Sequence, residues 1–206
     1  MGSREAHSLR PRLFFSVIFK MRGLLMAPLV VLMAFSLTWE CELDLLNVVI
    51  GVPVFVLGWG LRIWSQRHLK YRLLVSSPAL ATGGPYAYTR NPVYLGNLAI
   101  LVGLSVLCEL YWLVPITAAW ALLVYHVAVV GFEEVRLRKM FGAQYEDYQS
   151  RVPRWLPRAA AVASLAPAHG TPLRRALRVE WQCAMLLLIP IVKELLIDGL
   201  LFHRHG

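Results

Sequence analysis

The chain has 206 residues, of which 58% are hydrophobic and only 16% charged, and its formal net charge is +9. A soluble domain carries about 25% charged residues. This composition, with a mean hydropathy of +0.56, therefore excludes an ordinary soluble globule and points to an integral membrane protein. The basic residues flank apolar runs, so the positive-inside rule accounts for them and a nucleic-acid-binding face is not needed.

In chain order, the polar and basic start from Met1 to Arg12 is followed by no small-x-small cleavage site. The first apolar run is thus read as a retained span rather than a signal peptide. "LFFSVIFK" (Leu13–Lys20) reads as an interfacial helix or an extension of that span, which covers Leu24 to Trp39. Lys20 and Arg22 can snorkel at its inner end, and Trp39 can anchor the outer one. A second span covers Leu45 to Trp64, with Gly51 and Gly58 seven apart on one face. The third runs from Val93 to Leu107 and repeats that spacing with Gly96 and Gly103. Small residues so placed let membrane helices approach closely. Cys108–Trp112 makes a tight turn, and the fourth span, Leu113 to Phe132, completes a helical hairpin.

Residues 157–179 are rich in Pro, Ala and Arg, the composition of a linker. In the tail from Val179 to Phe202 the fully apolar stretch, Cys183–Val192, is short for a span of about 20 residues. It is read as a helix lying on the bundle or in the interface, with a fifth span as the alternative. The fold class is accordingly all-α, a polytopic membrane bundle of four to five transmembrane helices. Residues 1–158 form the membrane domain, with a cofactor-binding core at 71–157, and 159–206 form a linker and C-terminal apolar helix.

Basic residues crowd alternate connections: Arg4 to Arg22, then Arg62 to Arg90, then Arg136 to Arg158. The other two connections hold only Glu40, Glu42, Asp44 and Glu109. This alternation sets the N-terminus, and the peptide "GPYAYTRNPVYLG" (Gly84–Gly96), on the cytoplasmic side. Cys41 and Cys108 fall on the opposite side, where a disulfide and buried thiols are both open readings. No Cys or His spacing suggests a metal site.

Two stretches carry chemistry. In the first, Gly83, Gly84 and Pro85 make a rigid turn. Pro92 suits the first turn of the following helix and makes Asn91 its N-cap. Exposed N–H groups there attract a negative group, and Tyr94 lies one turn in. An interfacial helix with headgroup-belt tyrosines explains the same spacing, which leaves both readings open. In the second, Gly131–Arg154, Glu133 and Glu134 sit where the fourth span leaves the membrane. The helix is expected to continue to Gly142, with Glu134 and Arg138 as an i,i+4 pair. Glu133 has no such partner, which makes it a functional candidate. His126, seven residues before Glu133, is expected on the same face two turns deeper. Tyr145 and Tyr148 lie on a short amphipathic segment that would act as a lid or as structure.

Together these stretches resemble the isoprenylcysteine carboxyl methyltransferase and phospholipid methyltransferase superfamily. The residues that carry the resemblance are Gly84, Tyr86, Arg90, Pro92, Tyr94 and Gly96, then Glu133, Glu134, Leu137, Phe141, Gly142, Tyr145, Tyr148, Val152 and Pro153. It implies an integral membrane enzyme using S-adenosylmethionine, with a cytoplasmic cofactor pocket and a lipophilic methyl acceptor dissolved among membrane lipids. The positions it assigns to the cofactor are Leu80, Tyr86, Arg90, Asn91, Pro92, Tyr94, Glu133 and Glu134. His126 is the catalytic candidate on the acceptor side. Two departures stand out. Asn91 replaces the family histidine and cannot titrate. Val129 stands where prenylcysteine enzymes place an arginine, which makes a prenylcysteine acceptor doubtful. A non-catalytic binding or assembly protein, and a reductase-like membrane enzyme using a nicotinamide cofactor, remain alternatives. The density of Ala, Arg and Leu leans towards a bacterial inner membrane.

Overall fold

The computed structural model of the chain describes residues 16–36, 44–69, 79–158 and 171–202. Trp39, Cys41, Lys70 and Arg72 lie outside them, as do most of the expected linker and the N-terminal arginines to Arg12. The described residues are helical, with no strand among them. A helical end at 16–21 leads through a 3₁₀ turn (Leu24–Met26) into α1 (Ala27–Phe35). There follow α2 (Asp44–His68), α3 (Pro92–Leu107), α4 (Leu113–Ala128), a π turn (Val129–Glu133), α5 (Glu134–Phe141) and α6 (Ala143–Arg151). Two tail helices close the chain, α7 (Leu173–Met185) and α8 (Leu188–Phe202).

Among the described residues, two helical stretches are long and apolar enough to cross a membrane, Leu45–His68 and Leu113–Phe141. Leu24–Phe35 and Pro92–Leu107 are apolar but shorter. The outer faces of α2 and α4 leave Leu45, Val49, Leu57, Ile116 and Leu123 exposed, as a lipid-facing surface requires.

The most extensive helix contact is α2 on α3. Glycines make it possible. A Cβ on Gly58 would lie 2.7 Å from the Gly96 carbonyl oxygen and 2.8 Å from the Ile100 nitrogen, and one on Gly103 would lie 2.7 Å from the Phe55 nitrogen. The two backbones thus touch along the faces that the seven-residue spacing marks. At one end Asn47 donates to Glu109 Oε1 at 2.7 Å, fixing the start of α2 against the α3–α4 turn. Across the hairpin, Ser105 lies 3.4 Å from the Thr117 hydroxyl, both fully buried.

One expectation changes here. The tail is not one helix from Val179. It begins at Leu173, inside the apparent linker, and breaks at Leu186–Leu187. It lies on the bundle, one of the readings the sequence leaves open. Glu180 on α7 meets Arg62 near the C-terminal end of α2. Lys193 on α8 donates to the Cys108 carbonyl at 2.8 Å, at the opposite end of the bundle. Between them Leu186 and Ile189 pack on Met33 and Leu104. The tail therefore runs lengthwise along the bundle. Its composition hides this, because Ala176 and Glu180 are the buried residues of α7, while its arginines stand exposed among Leu177, Val179 and Trp181.

Candidate functional site

At the Arg62 end, a cavity of about 350 Å³ opens between α2, α3, α5, α6 and the segment before α3. Its floor begins with the 3₁₀ turn Gly84–Ala87. Gly84 adopts φ +60, and a Cβ there would collide with the His68 ring, so only glycine fits. The turn buries Tyr86 and leads through Asn91, the N-cap, to Pro92 as first residue of α3. The Asn91 side chain makes no capping bond. Its amide donates instead to the Arg154 carbonyl at 3.0 Å. Thr89 donates to that same carbonyl at 3.0 Å, and the Arg90 N–H to the Pro153 carbonyl at 2.9 Å. The Pro153–Arg154 stretch thus clamps the loop that precedes α3.

The helix of the fourth span continues past Phe132 to Phe141, and Gly142, at φ +50, ends α5 as expected. The π turn at Val129–Glu133 was not legible. Its hydrogen bonds span one more residue than those of an α-helix, so it rotates α5 out of the seven-residue register. His126 and Glu133 consequently do not share a face. His126 is exposed, its Nδ1 accepting from the Trp155 indole at 3.3 Å, and it does not line the cavity. Glu133 does, and accepts a 2.6 Å hydrogen bond from the Tyr94 hydroxyl. The two sequence stretches meet in this bond.

Glu134 also departs from its expected role. It is buried and does not pair with Arg138, whose guanidinium donates to Gln149 at 2.9 Å. It takes a bidentate pair from Arg154, at 2.8 and 2.9 Å, and lies 3.1 Å from Arg90 Nη1. The bond to Glu134 holds the Arg154 guanidinium above its ordinary range. Tyr148 donates to the Tyr86 carbonyl at 2.7 Å, and burial pushes its phenol, like that of Tyr145, up from the usual 10.0. These tyrosines pack with Ala87, Val152, Leu80 and Leu137, so α6 is a fixed wall of the cavity.

Leu80, Tyr86, Arg90, Asn91, Pro92, Tyr94, Glu133 and Glu134 all line the cavity. So do Lys20, Arg22, Arg62, Gln66, Asn97 and Tyr125, which sequence reasoning did not assign to it. For Arg62 and Asn97 a signal existed, since ionisable and amide groups inside or at the end of a span usually face a bundle interior. Arg62 also fits a basic flank of the second span, which masks that signal. Val129 is buried in a core cluster with Tyr94 and Tyr125 and contributes nothing polar. Among the described residues no three His, Cys, Asp or Glu side chains converge as metal ligands.

A membrane helical bundle with a polar cavity at the end of its hairpin, joined by Tyr94 and Glu133, defines the class. Residues 46–144, just under half of the chain, match the phospholipid methyltransferase family, and this match, with the relatives below, supports the isoprenylcysteine carboxyl methyltransferase and phospholipid methyltransferase superfamily. Similar proteins include the nickel-cobalt-cadmium resistance protein NccN of Alcaligenes xylosoxydans xylosoxydans, 32% identical over 128 residues, 62% of this chain and 56% of that one. The cobalt-zinc-cadmium resistance protein CzcN of Cupriavidus metallidurans is 30% identical over 59% of this chain and 52% of its own. Protein-S-isoprenylcysteine O-methyltransferase of Rattus norvegicus is 31% identical over 59% of this chain and 43% of its own. The chain thus spans about half the length of the curated relatives it matches. No solved structure matches it.

Proposed function

We propose that the protein is an integral membrane methyltransferase that moves a methyl group from S-adenosylmethionine to a lipophilic acceptor. The observation that carries this reading is the Tyr94–Glu133 hydrogen bond inside a cavity of about 350 Å³, a volume within the usual range of small-molecule pockets. The residues present suit the donor. Arg90 lines the cavity, and its Nε is buried without a hydrogen-bond acceptor, a donor that a ligand carboxylate or hydroxyl would satisfy. Glu133 suits an ammonium or hydroxyl group. Tyr86, Asn91, Pro92 and Tyr94 frame that end, and Leu80 offers an apolar surface.

S-adenosylmethionine, when bound, supplies an electrophilic methyl that an acceptor lone pair takes as the sulfonium becomes a neutral thioether. The chain's own part is alignment and shielding. Tyr94 fixes the Glu133 carboxylate, Glu134 fixes Arg90, and Tyr145 and Tyr148 wall out water. No titratable group needs to move a proton at Asn91, and His126 is not invoked. The basic residues at this end support a cytoplasmic mouth with the acceptor entering from the bilayer; a bacterial inner membrane agrees with the composition.

The test is equilibrium binding of S-adenosylmethionine to purified protein. Saturable binding is expected, weakened about tenfold or more by Glu133→Ala through loss of charge-assisted hydrogen bonding and less by Asn91→Ala. Absence of saturable binding in the wild type overturns the reading and favours a binding or assembly protein. Labelled methyl transfer into extracted lipids then identifies the acceptor. A prenylcysteine analogue is expected to be a poor one, because Val129 offers no cation.

A further inference from the structure

The cavity carries an electrostatic problem. Its lining holds four cations, Lys20, Arg22, Arg62 and Arg90, against two carboxylates, Glu133 and Glu134. Glu134 is already shared between Arg90 and Arg154. A sulfonium donor is itself a net cation, with one carboxylate against an ammonium and a sulfonium. Such a ligand enters a positive cavity only against repulsion, and low-dielectric walls strengthen that repulsion.

The tail relieves part of it. Glu180 on α7 is fully buried and does not line the cavity. From behind the wall its Oε2 accepts from Arg62 Nε at 2.6 Å and its Oε1 from Gln66 at 2.8 Å. The Trp59 indole donates to its main-chain carbonyl at 3.0 Å, fixing α7 against α2. Arg62 in turn donates through Nη1 to Asn97. The guanidinium is thereby held flat between two partners, with its charge matched by a carboxylate out of the ligand's reach. Glu180 lies outside the stretch that matches the family.

We propose that Glu180 is a positioning residue of the site: it holds and neutralises Arg62 from outside the cavity, so that a sulfonium cation can occupy it. This rests on the reading that the donor is S-adenosylmethionine. It makes a distinction that a structural role does not. S-adenosylhomocysteine lacks only the transferred methyl and has a neutral sulfur. Losing the Glu180 charge should therefore penalise the donor more than its demethylated product.

The experiment measures dissociation constants of both ligands for the purified full chain. Glu180→Gln keeps the shape and a hydrogen-bond acceptor but removes the charge. The ratio of the S-adenosylmethionine constant to the S-adenosylhomocysteine constant is expected to rise about threefold or more, as an uncompensated cation in the same cavity requires. Adding Arg62→Gln to Glu180→Gln removes both charges and should return the ratio to the wild-type value. If Glu180→Gln alone does not fold, Arg62→Lys with Glu180→Gln leaves the same uncompensated charge on a flexible stem and should raise the ratio likewise. Equal weakening of both ligands, or an unmoved ratio, overturns this proposal alone. Wild-type protein that binds neither ligand overturns the donor reading and this proposal with it.

Discussion

Two adjacent carboxylates have different tasks because one backbone turn separates their surroundings. Glu133, on the π turn, faces the cavity beside Tyr94, whereas Glu134 is sealed between Arg154 and Arg90. Removing one partner of a buried charge pair strands the other. Glu134→Gln should destabilise the protein by about 2–4 kcal/mol, towards the low end because Arg154 keeps contact with water. The lowered melting temperature in detergent checks this; an unchanged one would reduce the cluster to a surface pair. That partnership was not legible in the sequence. Arg138 offers the only helical i,i+4 spacing, while Arg154 lies 20 residues away and reaches Glu134 only because the 153–158 segment folds back on Thr89 and Asn91. Tyr148 gives a second measurement. Burial raises its phenol above the usual 10.0, so the folded state holds the proton longer than the unfolded one. Its contribution is fully present below pH 10 and is lost as pH rises beyond it. Melting temperature should therefore fall above about pH 10. Tyr148→Phe should remove part of that fall, at a cost of about 1 kcal/mol at neutral pH for the lost bond to Tyr86.

At the scale of elements, the α2–α3 pair and the two stretches that meet at Tyr94 and Glu133 were readable, whereas the π turn and α7 were not. Seven-residue glycine spacings in two neighbouring apolar runs mark faces that must meet, and Gly58 and Gly96 do meet backbone to backbone. Gly58→Ala should cost about 1–3 kcal/mol, because main-chain atoms at 2.7 and 2.8 Å cannot yield as a side chain would. Gly60, two residues on, has nothing within 4 Å of an added Cβ; Gly60→Ala should be neutral or stabilise by roughly 0.5–1 kcal/mol through helix propensity. Equal losses at both positions would deny that close approach matters. The π turn left no mark because "AVVGFEE" has the composition of an ordinary helix, and hydrogen-bond register is not written in hydropathy. Helix α7 was hidden for a different reason. Its three exposed arginines and flanking prolines look like a linker, and its one buried charge, Glu180, has meaning only opposite Arg62.

At the scale of the whole molecule, the tail decides on which side of the membrane Phe202 lies. α1, α2, α3 and α4 alternate in direction between the Arg62 end and the Cys108 end, as Trp120 to Leu25, Asn47 to Glu109 and Arg62 to Glu180 record. Four crossings would return the chain after α5 to the side on which it began, the cytoplasmic side in the proposed topology. Were the tail flat in the interface, Phe202 would stay on that side. Its contacts argue otherwise. From Glu180 to Lys193 it advances 13 residues, about 20 Å of helical rise, and reaches the carbonyl of Cys108 at the far end. Lys193 is buried there, donating a hydrogen bond to a main-chain oxygen, so its charge does not hold the helix at the near surface. A topology reporter fused after Phe202 should therefore share its side with one inserted at Glu109–Trp112 and oppose one placed at Arg158. A C-terminal reporter on the Arg158 side would mean that α8 does not cross. In that case the Lys193–Cys108 contact could not exist in the membrane, and Lys193→Met, which removes the charge and leaves the stem, would leave stability unchanged instead of lowering it.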